Sequence, residues 1–493
     1  MRALRGLALL VLATWSSAQE PTPQPPAQEG GQGGSEQQGA QQEEKKDEQQ
    51  QEPPAPAPAP VQEAQQPPAE TPVPVQAPVE APGATGNLAV AVVPTRAPVT
   101  APMDADAIAA SLRALNTAHP EVTYLELLGR SAQGREILAL TVTLPQPSSG
   151  SGPAHAKPTL LVADFRGFDS PAPEATVELA WRLAERAATD DGVRALLTST
   201  ACVIAPALDP DARVTGVPVR PVHFDENFPS GWQPETIRPG AGRVSLSTPE
   251  ALAAAGFLTR LKQAALVVGF APVAPALAPY PESELPEDDR QVLARVVAAL
   301  DVPGRPSAVS WFDLGSQGGG FLDFAYQARG ILPVVITLPS GQLGDAEVFA
   351  AWTDEVTERV VRCLALLPRI EIQQEGLERL APDTWQLDVR VHNAGLLPTQ
   401  STLSLRREPG SDVALQLEGA KLLATARRAN AAAEYQDASF HATGGRAAVS
   451  GGTLAGGEAR WLRLILESSP ESTLRVSAAT RWAGTASLAV TLP

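Results

Sequence analysis

The sequence predicts an α/β protein built on a mixed, largely parallel sheet with helices on both faces, followed by a C-terminal antiparallel β-sandwich. Two observations predict it. Between Met103 and Pro368, short apolar runs of buried-strand type alternate with longer runs of helical period, the pattern of strands joined by helical crossovers. After Pro368 the helical period vanishes, and short runs separated by Gly, Pro, Asn and Ser replace it.

The elements follow in order. "MDADAIAASLRALNTAHP" is a helix with Ile108, Leu112 and Leu115 on one face, ended by His119-Pro120. "VTYLELLG" and "REILALTVTL" are strand runs joined through the turn "RSAQG", and "KPTLLVADF" is a short buried strand. The helix "PAPEATVELAWRLAERAA" has its prolines at the entrance, where a missing N–H costs little. "TACVIAPAL" and "AALVVGFAP" are further strands, separated by the helix "STPEALAAAGFLTRLKQ", in which Ser247 and Glu250 have capping-box spacing. The helix "EDDRQVLARVVAAL", the strand "LPVVITLP" and the long helix "DAEVFAAWTDEVTERVVRCLALL" complete the α/β part. The sandwich is expected from "WQLDVRVHNAG", "STLSLRRE", "DVALQLEG", "RWLRLILE", "TLRVSAATRW" and "ASLAVTL".

The other end of the chain has no such pattern. Arg2 and Arg5, an apolar run from Leu7 to Trp15 and the small residues Ser16, Ser17 and Ala18 read as a secretory signal peptide over residues 1–18. That run is too short to span a bilayer, and no later run is long enough either, so no transmembrane span is expected. Residues 19–100 are Pro, Gln, Glu, Ala and Gly with almost no large apolar side chains, the composition of a disordered linker. Residues 101–368 and 369–493 are then the α/β domain and the sandwich. The protein is expected to be exported, to the periplasm or beyond. Cys202 and Cys363 leave open a single disulfide or two isolated buried thiols. The formal charge of −17 opposes binding to nucleic acid or anionic membrane.

Within the α/β part, Gly129, Ser131, Gly134 and Arg135 form a "GxSxxGR" turn, and "VIAPALDPDA", "HFDENFPSGW" and "STPEALA" follow at intervals. The order and spacing of these segments resemble a zinc carboxypeptidase of the carboxypeptidase A-like (funnelin) type. The resemblance implies a zinc ion held by two His and one Glu, with a fourth position for the attacking water. It also implies a Glu as general base, an Arg for the substrate's terminal carboxylate, and a cation for the oxyanion.

Position by position, those groups are replaced. The His-x-x-Glu motif becomes Arg166 and Asp169 in "ADFRGFDSPAPEA", and arginine, with donors only and a fixed charge, cannot ligate a cation. The second His falls at Ala271, and no histidine lies between His223 and His392 to substitute for it. The general base falls at Thr337 or Leu338, in a stretch without Asp or Glu between Asp323 and Asp345. The Asn-Arg pair becomes Asp225-Glu226, which reverses the charge offered to a carboxylate, while Asn227, Phe228 and Pro229 retain the structural half of the motif.

The expectation is therefore a catalytically inactive relative with no metal and no catalytic residue, acting as a peptide- or envelope-binding module. Zinc would be its cofactor only if the family activity were retained. Three alternatives stay open. One is a relocated metal site, or a hard-cation site, built from His223, Glu226, Asp209, Asp211 and Asp225. The second is metal-free hydrolysis drawing on His119, His155 or His223, although no Gly-x-Ser-x-Gly elbow is present. The third is a structural envelope protein with no ligand.

Overall fold

The computed structural model describes Val99 and residues 102–144, 157–165, 171–215, 222–272, 285–300, 308–310, 318–338, 346–408, 413–440, 449–450 and 453–493. The expected signal peptide and linker lie outside them, apart from Val99.

The first element is α1 (Ala105–Ala118), whose Asp104 side chain accepts from the Ala107 amide and which buries Ile108, Leu112 and Leu115. Strands β1 (Thr123–Arg130) and β2 (Glu136–Val142) form an antiparallel hairpin, turned at Gly134 with φ of 81°. Then come β3 (Thr159–Ala163), α2 (Ala172–Thr189), α3 (Asp191–Ser199), β4 (Ala201–Ala205) and α4 (Pro210–Thr215). They are followed by α5 (Pro249–Arg260), β5 (Ala264–Pro272), α6 (Glu287–Leu300), β6 (Ala308–Ser310), α7 (Phe321–Arg329), β7 (Leu332–Leu338) and α8 (Ala346–Leu366). Among the described residues the sheet has seven strands in the order β1-β2-β4-β3-β5-β7-β6. The inner neighbours β4, β3, β5 and β7 run parallel, and β1, β2 and β6 pair antiparallel at the edges. The sheet is thus mixed, with a parallel centre, as expected. Helices α3, α4 and α7 and the short edge strand β6 add to the elements read from the sequence.

Helices cover both faces because strand side chains alternate with period two. Leu160 and Val162 of β3, Cys202 and Ile204 of β4, and Val334 and Ile336 of β7 join one buried cluster with α1, α2, α3, α6 and α8. Leu161, Ala163, Val203, Ala205 and Val335 join the other, with α5 and α7. Cys202 and Cys363 both belong to the first cluster, and both are free, buried thiols. Burial pushes the Cys363 thiol up to about 12, so neither thiol is poised to ionise near neutral pH.

The C-terminal part forms two antiparallel sheets, β13-β10-β15-β16 and β12-β11-β14-β9-β8. Their strands are β8 (Ile370–Ala381), β9 (Thr384–Asn393), β10 (Ala414–Glu418), β11 (Lys421–Arg428), β12 (Gln436–Phe440), β13 (Val449–Ser450), β14 (Ala459–Glu467), β15 (Thr473–Thr480) and β16 (Gly484–Thr491). One expected strand is wrong: "STLSLRRE" is the helix α9 (Thr402–Arg407). The Ser401 hydroxyl caps it by accepting from the Ser404 amide, and the Asp289 carboxylate of α6 accepts from the Thr402 and Leu403 amides at 2.7 and 3.0 Å. A carboxylate at a helix N-terminus satisfies donors that a strand would need to pair sideways.

That helix shows how the two parts are joined. Asp289 also accepts from the Tyr326 hydroxyl of α7 at 2.8 Å, and burial next to that carboxylate raises the Tyr326 pKa. A Cβ on Gly330 would stand 2.6 Å from the Ser401 hydroxyl, so the contact requires glycine. Trp482, after β15, and Leu397, after β9, are fully buried in the core cluster of the α/β sheet rather than in that of the sandwich. Part of the junction is therefore a shared apolar core.

Lys157, just before β3, is 3% exposed. Its Nζ donates to the Thr143 hydroxyl at 3.1 Å and to the carbonyls of Leu144 and Leu197. Burial lowers its pKa from 10.5 to about 8. The unfolded chain therefore binds more protons than the folded one between those values, and this lysine makes stability rise with pH across that window. Lys157→Met is expected to abolish that rise relative to wild type. Parallel urea-unfolding curves for the two proteins at pH 8 and pH 10.5 would fail to bear it out if the gap between them stayed constant.

Candidate functional site

In parallel α/β sheets the loops beyond the strand carboxyl ends build sites. Here β5 and β7 lie side by side, and Ala271 pairs with Thr337 and Pro272 with Leu338. The fold therefore brings together two positions that the resemblance had assigned to the second zinc ligand and the general base. Alanine has no ligating atom, and neither threonine nor leucine replaces a carboxylate base. This pair of strand ends does not fit a zinc site, which needs imidazole, thiolate or carboxylate donors. Arg166 and Asp169 lie outside the described residues, as does His155. The strand that leads to them, β3, is followed by Asp164 and Phe165, both buried. Asp164, a buried carboxylate at the end of β3, is a site-edge residue that the motif comparison did not single out.

The stretch from Val222 to Thr248 packs beside it, Phe224 and Phe165 both meeting the Phe321 ring. Asp225 and Glu226 lie in a 3-10 turn (Phe224–Glu226). The Asp225 carboxylate accepts from the Phe321 amide at 2.8 Å and so caps α7. Glu226 sits beside two bases: its Oε2 is 3.5 Å from Arg238 Nε, and its Oε1 is 3.6 Å from His223 Nδ1. The charge reversal expected at Glu226 is thus offset locally by Arg238, whose Nη1 also donates to the Gly318 carbonyl. Gly240, at φ 93°, lets the chain pass this group, since a Cβ there would stand 2.6 Å from His223 Nδ1 and 3.0 Å from Glu226 Oε2.

Asn227 explains why the second half of the motif survives. Fully buried, it donates from Nδ2 to the carbonyls of Ala241 and Val244 and to the Ser247 hydroxyl, at 2.9, 3.0 and 3.0 Å. Its Oδ1 accepts from the Ser247 and Thr248 amides at 2.7 and 3.2 Å. Ser247 is therefore held by Asn227 and is not the helix cap: Thr248 caps α5 by accepting from the Ala251 amide. Glu250, expected as the reciprocal capping partner, instead accepts from the Ala132 amide at 2.8 Å in the "RSAQG" turn. Phe228 donates its amide to the Gly319 carbonyl at 2.8 Å, and its ring stands 5.1 Å from Phe224 and 5.6 Å from Phe321.

The acidic residues considered for a relocated cation are spent on structure. Asp211, 1% exposed, accepts from the Ser131 hydroxyl at 2.6 Å, the Gln133 amide at 3.0 Å and Arg135 at 2.8 Å. It thereby holds the "GxSxxGR" turn. Asp209 accepts from the Ala212 amide at 3.3 Å at the start of α4, and Asp225 caps α7. Among the described residues, no group of three or more His, Cys, Asp or Glu is arranged to hold a metal ion. His119 ends α1 with its ring edge-on to Trp181 at 6.0 Å, in a packing role. No helix among the described residues is long and apolar enough to cross a membrane.

Residues 108–217 match the family model for zinc carboxypeptidase, and residues 369–491 match a domain of unknown function, DUF8731. Solved structures similar to the chain include carboxypeptidase A from Helicoverpa armigera, at 16% identity over 53% of this chain and 74% of that one, with a TM-score of 0.42. A metallo-carboxypeptidase from Burkholderia cenocepacia is similar at 18% identity over 53% of this chain and 69% of that one, with a TM-score of 0.40. Bovine thrombin-activatable fibrinolysis inhibitor is similar at 13% identity over 54% of this chain and 97% of that one, with a TM-score of 0.42. No curated protein matches the sequence. The α/β domain is zinc-carboxypeptidase-like, and the family match over residues 108–217 covers Arg166 and Asp169.

Proposed function

We propose that this protein is an exported, catalytically inactive zinc-carboxypeptidase relative whose α/β domain acts as a peptide- or envelope-binding module. The observation that carries the proposal is the donor set. Ala271 and Thr337 stand opposite each other at the ends of β5 and β7, and the sequence offers no histidine between His223 and His392 that could restore a ligand. Arg166 adds a fixed positive charge where the first ligand would stand. Hydrolysis by the family's route needs a metal-activated water and a carboxylate base, and the residues present support neither.

The ligand-binding half of the proposal rests on what the fold keeps. Function sits in grafted residues, so a cleft outlives its chemistry. With Arg238 beside Glu226, the wall of that cleft offers a near-neutral, mixed-charge surface rather than a carboxylate grip. The test is metal analysis of purified protein together with a carboxypeptidase assay on the same sample. Zinc well below one equivalent and no release of C-terminal residues are expected. Stoichiometric zinc with turnover would overturn the proposal. A screen against peptides and cell-wall fragments separates a binding module from a purely structural envelope protein, the former giving saturable binding.

A further inference from the structure

A second cleft, of about 480 Å³, opens between the α/β domain and the sandwich, lined by Thr259, Lys262, Arg329, Glu408, Thr480 and Arg481. That volume lies within the roughly 300–1,000 Å³ typical of small-molecule sites. Its position separates it from the carboxypeptidase-like site. Lys262 precedes the first residue of β5 and Arg329 ends α7 just before β7, so both stand at the amino ends of parallel strands. Ala271 and Thr337 mark the opposite, carboxyl ends of the same two strands. Arg481 follows β15 and Glu408 follows α9, so the sandwich side supplies half of the charged lining.

The charges of the cleft do not balance. Among the described residues, Lys262, Arg329 and Arg481 face one lining carboxylate, Glu408, in a chain whose net charge is −17. That carboxylate is engaged by Arg481, whose Nη1 donates to Glu408 Oε2 and to the Ser404 hydroxyl, both at 2.8 Å. Arg481 Nη2 donates to the Arg329 backbone carbonyl at 3.2 Å, which holds the two arginines close together. Arg329 Nε is buried with no hydrogen-bond acceptor among the described residues. Burial, and then the neighbouring Arg329 charge, lowers the Arg481 pKa, as expected of like charges lacking enough anion between them. A buried guanidinium N–H without an acceptor is costly, and guanidinium forks match the oxygens of carboxylate and phosphate groups.

We propose that this cleft binds a small oxyanion carrying two or more negative charges, of the phosphate or polycarboxylate type, through Arg329, Arg481 and Lys262. The ligand supplies the acceptor that Arg329 Nε lacks and compensates the repulsion between the two arginines. Because the cleft is made by both domains, occupancy also strengthens their junction.

The test is isothermal titration of the whole protein at low ionic strength with inorganic phosphate and, separately, with citrate. Saturable one-to-one binding of at least one probe is expected, and the tighter probe identifies the source of the anion. Arg329→Met should weaken that binding by about tenfold or more, the effect of losing one charge-assisted hydrogen bond. This variant keeps the backbone carbonyl that Arg481 uses. Lys262→Met, on an exposed side chain, should weaken binding by a smaller factor and provides a fold-neutral check. No saturable binding of either probe, or an affinity that both variants leave unchanged, would overturn the proposal.

Discussion

Trp482→Ala is expected to cost about 3–5 kcal/mol, the usual penalty for emptying a fully buried aromatic site. The cost should appear in the unfolding of the α/β domain, although Trp482 belongs to the sandwich by sequence. Its side chain is wholly buried in the cluster that contains Leu160, Val360 and Leu364 of the α/β sheet and its helices. The surrounding junction adds the Asp289 contacts to α9 and the close approach at Gly330. Calorimetry of wild type should therefore show one cooperative transition that the substitution lowers as a whole. Two separable transitions, with only the later-sequence part responding, would disprove the shared core.

Glu174→Ala is expected to destabilise the fold by a comparable amount, about 3–5 kcal/mol, because it strands a buried cation. Glu174 lies in the first turn of α2. Its side chain has no solvent exposure, and its partner Arg213 is 7% exposed. The same carboxylate accepts from the Met103 amide at 2.6 Å, and Arg213 Nε donates to the Met103 carbonyl at 2.8 Å. Burial pushes the Glu174 carboxyl up against the opposing pull of Arg213, so the pair is held by geometry rather than by an abundance of favourable charge. The double substitution Glu174→Met/Arg213→Met should recover much of the loss, since buried pairs are often replaceable by apolar groups of similar volume. A Glu174→Ala protein within about 1 kcal/mol of wild type in urea would refute this.

The α/β pattern was legible because its strands are buried on both faces and its helices carry one apolar stripe. The edge strands were less so. β8, at the margin of its sheet, has Ile370 buried but the run Glu371 to Ala381 half-buried or exposed, so no alternation marks it. Strand β6 is only Ala308–Ser310, too short to show a period. Helix α9 was misread because its N-terminal carboxylate comes from Asp289, more than a hundred residues earlier. The same holds at the site. Asn227 was recognised as structural from its motif, whereas the Arg238 that balances Glu226 comes from a Pro- and Gly-rich loop without periodic signal.

By itself the sequence determined that no imidazole or carboxylate is available at Ala271, Thr337 or Leu338, the positions that the resemblance assigns to a zinc ligand and the general base, because residue identity alone decides it. It also determined the layered α/β core, because apolar period sets which faces must be covered. Only the tertiary structure decided that Ala271 and Thr337 are neighbours, that Asp209, Asp211 and Asp225 are consumed by turns and caps, and that Trp482 completes a core far from it in sequence. Only the folded chain sets Lys262, Arg329 and Arg481 around one cleft. The physical reason is the same in each case: a charge or a buried ring acquires its meaning from the partner beside it, and that partner is chosen by the packing of distant segments.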